Sequence, residues 1–235
     1  VTPSSLYHLA WAQVLGQVSA RTDVVFGTVL LGRLQAGLGA DRAIGMFINT
    51  LPLRVHLSTH TVRAAVLAVH AQLNALLLHE HAALSEVQRC SAVAPPSPLF
   101  TALLNYRSQR QGATQASASW PGIQMQSTLR SNHYPVVMDV EETDAGVQLI
   151  GHLPAGYAPE RLCMYMQVAL TQLAEALETT EDRPLHALCV LPEAERQHLL
   201  GFNAASMPTT PRLTIAAMVE QQAARTPDAI AVQCA

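Results

Sequence analysis

Ile44-Gly45-Met46-Phe47-Ile48-Asn49-Thr50-Leu51-Pro52-Leu53-Arg54 is the stretch on which the fold turns. It is too short and too interrupted for a helix. Beyond Thr50, Leu51, Leu53, Val55 and Leu57 alternate with Pro52, Arg54, His56 and Ser58. That alternation predicts a strand starting near Asn49 with one face buried. Gly45 marks a bend or a close backbone approach just before it. Asn49 and Thr50 sit between two apolar runs, where polar side chains need partners. The local reading is that Asn49 caps a turn at the strand entrance.

Upstream, Asp23–Leu31 is β-branched and almost wholly apolar, which predicts a strand buried on both faces. Gly32-Arg33 ends it, and residues 34–43, with Gly37, Gly39 and Ala40, form a loop that leads into the decisive stretch. Before it, Thr2 and Pro3 fit an N-cap and a first helical position. Tyr7, Trp11, Val14, Leu15 and Val18 make one helical stripe that ends near Arg21, a core face.

Downstream, Thr61 caps a helix carrying Val62, Val66, Val69, Leu73 and Leu76 to about His81, and a shorter helix spans Ser85–Arg89. Pro95, Pro96 and Pro98 break the chain before a second buried strand, Leu99–Tyr106. Residues 108–119 are polar and small, an exposed loop. Ile123–Leu129, Tyr134–Val140 and Val147–Leu153 alternate like a meander, with a turn at Asp144-Ala145-Gly146. Glu141, Glu142 and Asp144 are expected at a solvated acidic tip. Pro159 opens a helix with Leu162, Met166, Leu170, Leu173 and Leu177 on one face. A small helix covers Glu193–Phe202, and Asn203–Pro211 is a linker. Thr214 caps a last helix, with Leu213 placed to staple against Met218, and Ala229–Val232 has the pattern of an opening strand.

Composition excludes several classes. Of 235 residues, 49% are hydrophobic and 13% charged, so a sizeable core is expected and disorder is not. A net charge of −3 offers no basic surface for nucleic acid. Cys90, Cys163, Cys189 and Cys234 lie far apart and fit free thiols in a reducing cytoplasm. No apolar run approaches a membrane span. The chain enters a helix directly from Val1, with neither a signal peptide nor an initiator Met, and is expected to be a piece of a longer polypeptide. No metal site is expected: His79 and His81 are two apart and point away from each other on a helix. GxSxG, HExxH, P-loop and GxGxxG motifs are all missing.

Ile44–Thr50 resembles the Ile-Gly-x-Phe-Val-Asn-Thr signature of condensation domains from nonribosomal peptide synthetases, with Ile48 in place of Val. Epimerisation domains typically read Val-Gly-Trp-Phe-Thr-Ser there, so Phe47, Asn49 and Thr50 favour condensation. The strand ending in Gly32-Arg33, the run His79–Arg89 and the run Ser97–Asn105 occupy the places the family gives them. Val219–Val232 resembles the start of an adenylation domain, which follows condensation in these synthetases.

The resemblance implies an α/β fold: a chloramphenicol-acetyltransferase-like lobe, a mixed β-sheet packed with helices, half of a two-lobed domain. Residues 1–203 would be the C-terminal lobe, 204–213 the linker and 214–235 the start of adenylation. The family's catalytic His-His-x-x-x-Asp-Gly motif is absent and belongs to the N-terminal lobe. No catalytic residue is therefore expected in this chain, and the chain alone is expected to form no amide. Gly45, Phe47, Asn49, Thr50, Asn105 and Tyr106 are the residues the resemblance places near the substrate tunnel, with a latch segment around 108–119. No cofactor is expected on the chain itself, only the phosphopantetheine arms of partner carrier domains. The implied partners are the N-terminal lobe, the upstream and downstream peptidyl carrier domains and the adjacent adenylation domain. Three alternatives stay open: an epimerisation domain, a dual condensation and epimerisation domain, and a non-catalytic domain that docks carriers.

Overall fold

The computed structural model describes residues 1–33, 44–58, 60–108, 133–179, 182–203 and 214–234. The chain divides into two compact units, Val1–Pro192 and Glu193–Ala235.

The first unit is built on a mixed five-stranded sheet. Its strands are β1 (Asp23–Leu30), β2 (Asn49–His56), β3 (Ala102–Ser108), β4 (Val136–Thr143) and β5 (Gly146–His152), in the order β2-β1-β3-β4-β5. β1 runs antiparallel to β2 and parallel to β3; β4 runs parallel to β3 and antiparallel to β5. Of the expected meander, the last two strands form the antiparallel β4–β5 hairpin, and β4 pairs with β3 in parallel. The meander's first segment, residues 123–129, lies outside the described residues, as do the loops 34–43 and 109–119. The β1–β2 register pairs Leu30 with Asn49 and Asp23 with His56. A two-pronged bond from Arg54 to Asp23, 3.0 and 2.7 Å, fastens its far end.

Three helices cover one face of the sheet: α1 (Pro3–Ser19), α2 (Val62–Leu77) and α4 (Pro159–Glu178). The expected stripes meet there. Trp11, Phe26, Leu53, Val66, Leu104, Met138, Met166 and Leu173 are buried in one core. Each such side chain contributes about 1.5–3 kcal/mol of burial. Among the described residues, the second face is only partly covered. Phe100, Leu103 and Val137 form a small apolar cluster with Val29, Tyr134 and Leu84, the first residue of the short helix α3 (Leu84–Arg89). Val25 stays exposed, so β1 is not buried on both faces as its composition suggests. Gly27 makes room for the cluster, since a Cβ there would collide with the Phe100 ring.

α1 ends on Ala20, whose φ of 53° is left-handed. An alanine is strained there and a glycine is not. Ala20→Gly is expected to raise the unfolding free energy by about 0.5 kcal/mol, checked by urea denaturation. α2 stops at Leu77, four residues before the expected end at His81, and the chain turns away through Leu78–His81. The acidic tip is also corrected. Glu142 is buried, and Glu141 pairs with Arg107, because β4 extends to Thr143 and carries both carboxylates into the sheet.

The second unit contains α5 (Glu193–Phe202) and α6 (Ile215–Arg225). Thr214 caps α6, its hydroxyl accepting from the Ala217 amide at 3.2 Å; the staple residue Leu213 lies outside the described residues. Ile215, Met218 and Val219 are exposed on α6. Ala229–Val232 forms no strand, since extended backbone becomes a strand only with a ladder partner.

Candidate functional site

The segment before β2 is held by its backbone. Gly32 has φ +65°, and a Cβ there would overlap the Phe47 carbonyl oxygen. Only glycine allows that approach. The Arg33 guanidinium lies 4.8 Å from the centroid of the Phe47 ring, a cation–π contact. Gly45 packs against the edge of the same ring. Around this anchor Ile44 and Met46 are fully exposed and Ile48 largely so. Three apolar side chains thus stand outside the core on one short segment.

Asn49 then ties β2 to the end of α2. Its amide nitrogen donates to the carbonyls of Glu80 (2.9 Å) and Ala82 (2.8 Å), and its oxygen accepts from the Thr50 amide at 2.9 Å. After Leu77 the Leu78, His79 and Glu80 amides close i→i+3 turns onto Ala75, Leu76 and Leu77, and Asn49 holds the segment that follows. Asn49→Ala would strand two carbonyls and is expected to cost about 2 kcal/mol. Faster amide hydrogen exchange at the C-terminal end of α2 is the check.

Alternation along the strands sends Thr50, Asn105 and Asp139 to the second face. Asn105 pairs with Asp139, and Asp139 with Ile150. The Asn105 amide donates to Asp139 Oδ1 at 2.8 Å, and His152 Nε2 donates to Asp139 Oδ2 at 3.0 Å. Asp139 itself is only 3% exposed. Toward one end of β3 and β4 this polar row gives way to the Phe100–Leu103–Val137 cluster, and toward the other to the Arg107–Glu141 ion pair. The second face thus passes from apolar through hydrogen-bonding to ionic within two strand steps on either side.

Tyr106, the neighbour of Asn105, points the other way. Its ring stacks on Tyr7 of α1 at 5.2 Å between centroids, and its hydroxyl donates to Glu142 Oε2 at 2.5 Å. Burial, then the bond to Glu142, push the phenol up to about 12, so it stays a donor. On the same side His8 is enclosed. Its Nδ1 donates to the Ser4 carbonyl at 2.6 Å, and its Nε2 accepts from the Thr28 hydroxyl at 2.6 Å. Burial drives its pKa down to about 4 against the opposing pull of the Ser4 bond.

The six expected residues therefore fall into three groups. Thr50 and Asn105 share the second face, Gly45 and Phe47 build the loop entering β2, and Asn49 and Tyr106 bond inward to helix-side partners. Asp139 and His152 were not among the expected site residues, and Glu142, expected at a solvated tip, is buried. A signal for Asp139 was present: a lone carboxylate inside Val136-Val137-Met138-Asp139-Val140 sits where an apolar strand is about to be buried. Among the described residues, no three His, Cys, Asp or Glu side chains gather as metal ligands, and no helix is long and apolar enough to cross a membrane.

The profile of the Condensation domain family matches residues 1–200. Malpibaldin synthetase of Mortierella alpina is 42% identical over 233 residues, and malpinin synthetase of the same organism 41% over 235. Those alignments cover 99% and 100% of this chain but only 4% and 3% of the two synthetases. Among solved structures, a four-domain nonribosomal peptide synthetase bound to AMP and glycine superposes with a TM-score of 0.64 at 18% identity, covering 83% of this chain and 16% of that one. The starter condensation domain of rhizomide synthetase, in complex with C8-CoA, gives 0.59 at 19% identity, over 80% of this chain and 43% of that one. The sheet and its helices thus match solved structures of this fold, and the chain belongs to the condensation domains of nonribosomal peptide synthetases.

Proposed function

We propose that residues 1–203 are the C-terminal lobe of a condensation domain that joins two carrier-bound aminoacyl or peptidyl thioesters through an amide bond. Residues 204–213 are the linker and 214–235 the start of an adenylation domain. The observation that carries this reading is the signature segment Ile44–Thr50. It enters β2 beside an exposed apolar loop, and its Thr50 lies on the same open sheet face as Asn105. A face that the described residues cover only in part fits a lobe that closes against another lobe.

In this reading the second face and the loop Gly45–Phe47 form the wall and floor of the substrate tunnel. Thr50 and Asn105 face the substrates, while Asn49 and Tyr106 fix the floor from behind. The phosphopantetheine arms of an upstream and a downstream carrier domain deliver the two thioesters. The amine of one attacks the carbonyl carbon of the other and expels the thiol. Holding both reactants in one tunnel supplies most of the acceleration. A histidine of the N-terminal lobe orients or deprotonates the amine. The compartment is the cytoplasm, where the four thiols stay free.

Two results test this. Residues 1–235 mixed with two loaded carrier proteins give no amide, whereas the intact synthetase gives one; amide from the fragment alone refutes the division of labour. Chiral analysis of the product separates the alternatives. An L-configured donor emerging as D assigns dual condensation and epimerisation, and retention of configuration assigns condensation alone.

A further inference from the structure

We propose that Asp139 and His152 form, with Asn105, a positioning relay across β3, β4 and β5 that aims the Asn105 amide oxygen at the incoming acceptor amine. The inference rests on the amide-forming reading above and adds two residues to it.

A carboxylate buried as deeply as that of Asp139 is expensive unless hydrogen-bonded, and an apolar side chain would suit the middle of β4 better. Asp139 is hydrogen-bonded on both oxygens, by the Asn105 amide nitrogen at 2.8 Å and by His152 Nε2 at 3.0 Å. The first bond settles which way the Asn105 amide faces. With its nitrogen committed to Asp139, its oxygen is the group left for a ligand. The second bond holds the carboxylate from the other side. His152 on β5 is about a third exposed, while the Asp139 side chain is 4% exposed, so the relay leads from the surface into the sheet. The apolar cluster of Phe100, Leu103 and Val137 flanks this row on one side.

An amide oxygen accepts one N–H of a primary amine and leaves the nitrogen lone pair free to attack. The ligand class is therefore the α-amine of the acceptor amino acid, not the donor thioester. His152 touches no substrate in this account; it acts through Asp139 and Asn105 and is a positioning residue.

The test uses the intact synthetase. The donor is loaded on its own carrier domain, and the acceptor is offered as the N-acetylcysteamine thioester of the amino acid that the following adenylation domain activates. His152→Ala is expected to lower kcat/KM for the acceptor about tenfold, with donor loading unchanged. His152→Gln can donate to Asp139 as Nε2 does and is expected to recover to within about threefold of wild type. Combining His152→Ala with Asn105→Ala is expected to add little to Asn105→Ala alone, because one residue works through the other. Multiplying losses in the double variant, an unrescued Gln variant or an equal loss in donor loading each overturn the relay while leaving amide formation in place. A wild-type synthetase that loads both groups but joins none overturns the underlying reading and the relay together.

Discussion

Between pH 6.5 and pH 4 the unfolding free energy is expected to fall by roughly 3 kcal/mol through one side chain, His8. The imidazole is 2% exposed, and both ring nitrogens are used in its neutral form: Nδ1–H toward the Ser4 carbonyl, Nε2 toward the Thr28 hydroxyl. Its pKa falls from 6.5 to about 4 on folding. Within that window the unfolded chain holds a proton that the folded chain does not, so stability rises with pH across it and is fully present above pH 6.5. Urea unfolding at pH 7, 5.5 and 4, followed by the fluorescence of the buried Trp11, measures the loss. His8→Gln offers an uncharged amide to the same two partners and is expected to flatten the slope. An unchanged slope in that variant would assign the acid sensitivity to other groups.

Gly32→Ala is expected to lower amide formation by the intact synthetase by on the order of 100-fold, a loss typical of displacing a substrate-bearing element by about 1 Å. Two penalties act at once. The residue sits at φ +65°, where a Cβ is strained, and that Cβ would overlap the Phe47 carbonyl oxygen. Backbone cannot yield as a side chain does, so the segment 44–49 must shift, and the Arg33–Phe47 contact shifts with it. Single-turnover transfer between loaded carrier domains is the measurement. The helix-side core lies on other elements, so the melting temperature is expected to move far less than the rate. Transfer within threefold of wild type would show that the signature loop need not hold this position.

Local pattern carried the elements and lost the partnerships. The stripe of Tyr7, Trp11 and Val14 and the alternation of Leu51, Leu53 and Val55 each fix which side faces the core, and all of these side chains are buried. The signature residues were legible as a string, but the string does not say that Asn49 turns inward to Glu80 and Ala82 while Thr50 turns outward. That division follows from the period of two along a strand and from where α2 happens to end. Glu142 read as solvated because its partner, Tyr106, is 36 residues away in sequence. Asp139 and His152 meet across the β4–β5 hairpin, 13 residues apart, with Asn105 joining from a parallel neighbour 34 residues back. No spacing rule covers pairs like these; strand register alone brings them together. The opening strand read at Ala229–Val232 failed for a related reason: it needs a partner that the described residues do not supply.

Single-turnover transfer decides whether this lobe helps to join two carrier-bound groups. The intact synthetase is loaded with a radiolabelled donor upstream and an unlabelled acceptor downstream, then quenched and analysed for the label on each carrier domain. The label is expected to move to the downstream carrier as an amide in the wild type, and Asn105→Ala is expected to slow this step without affecting loading. Label that stays upstream while both carriers are fully loaded would contradict it and leave a domain that docks carriers without joining what they bring.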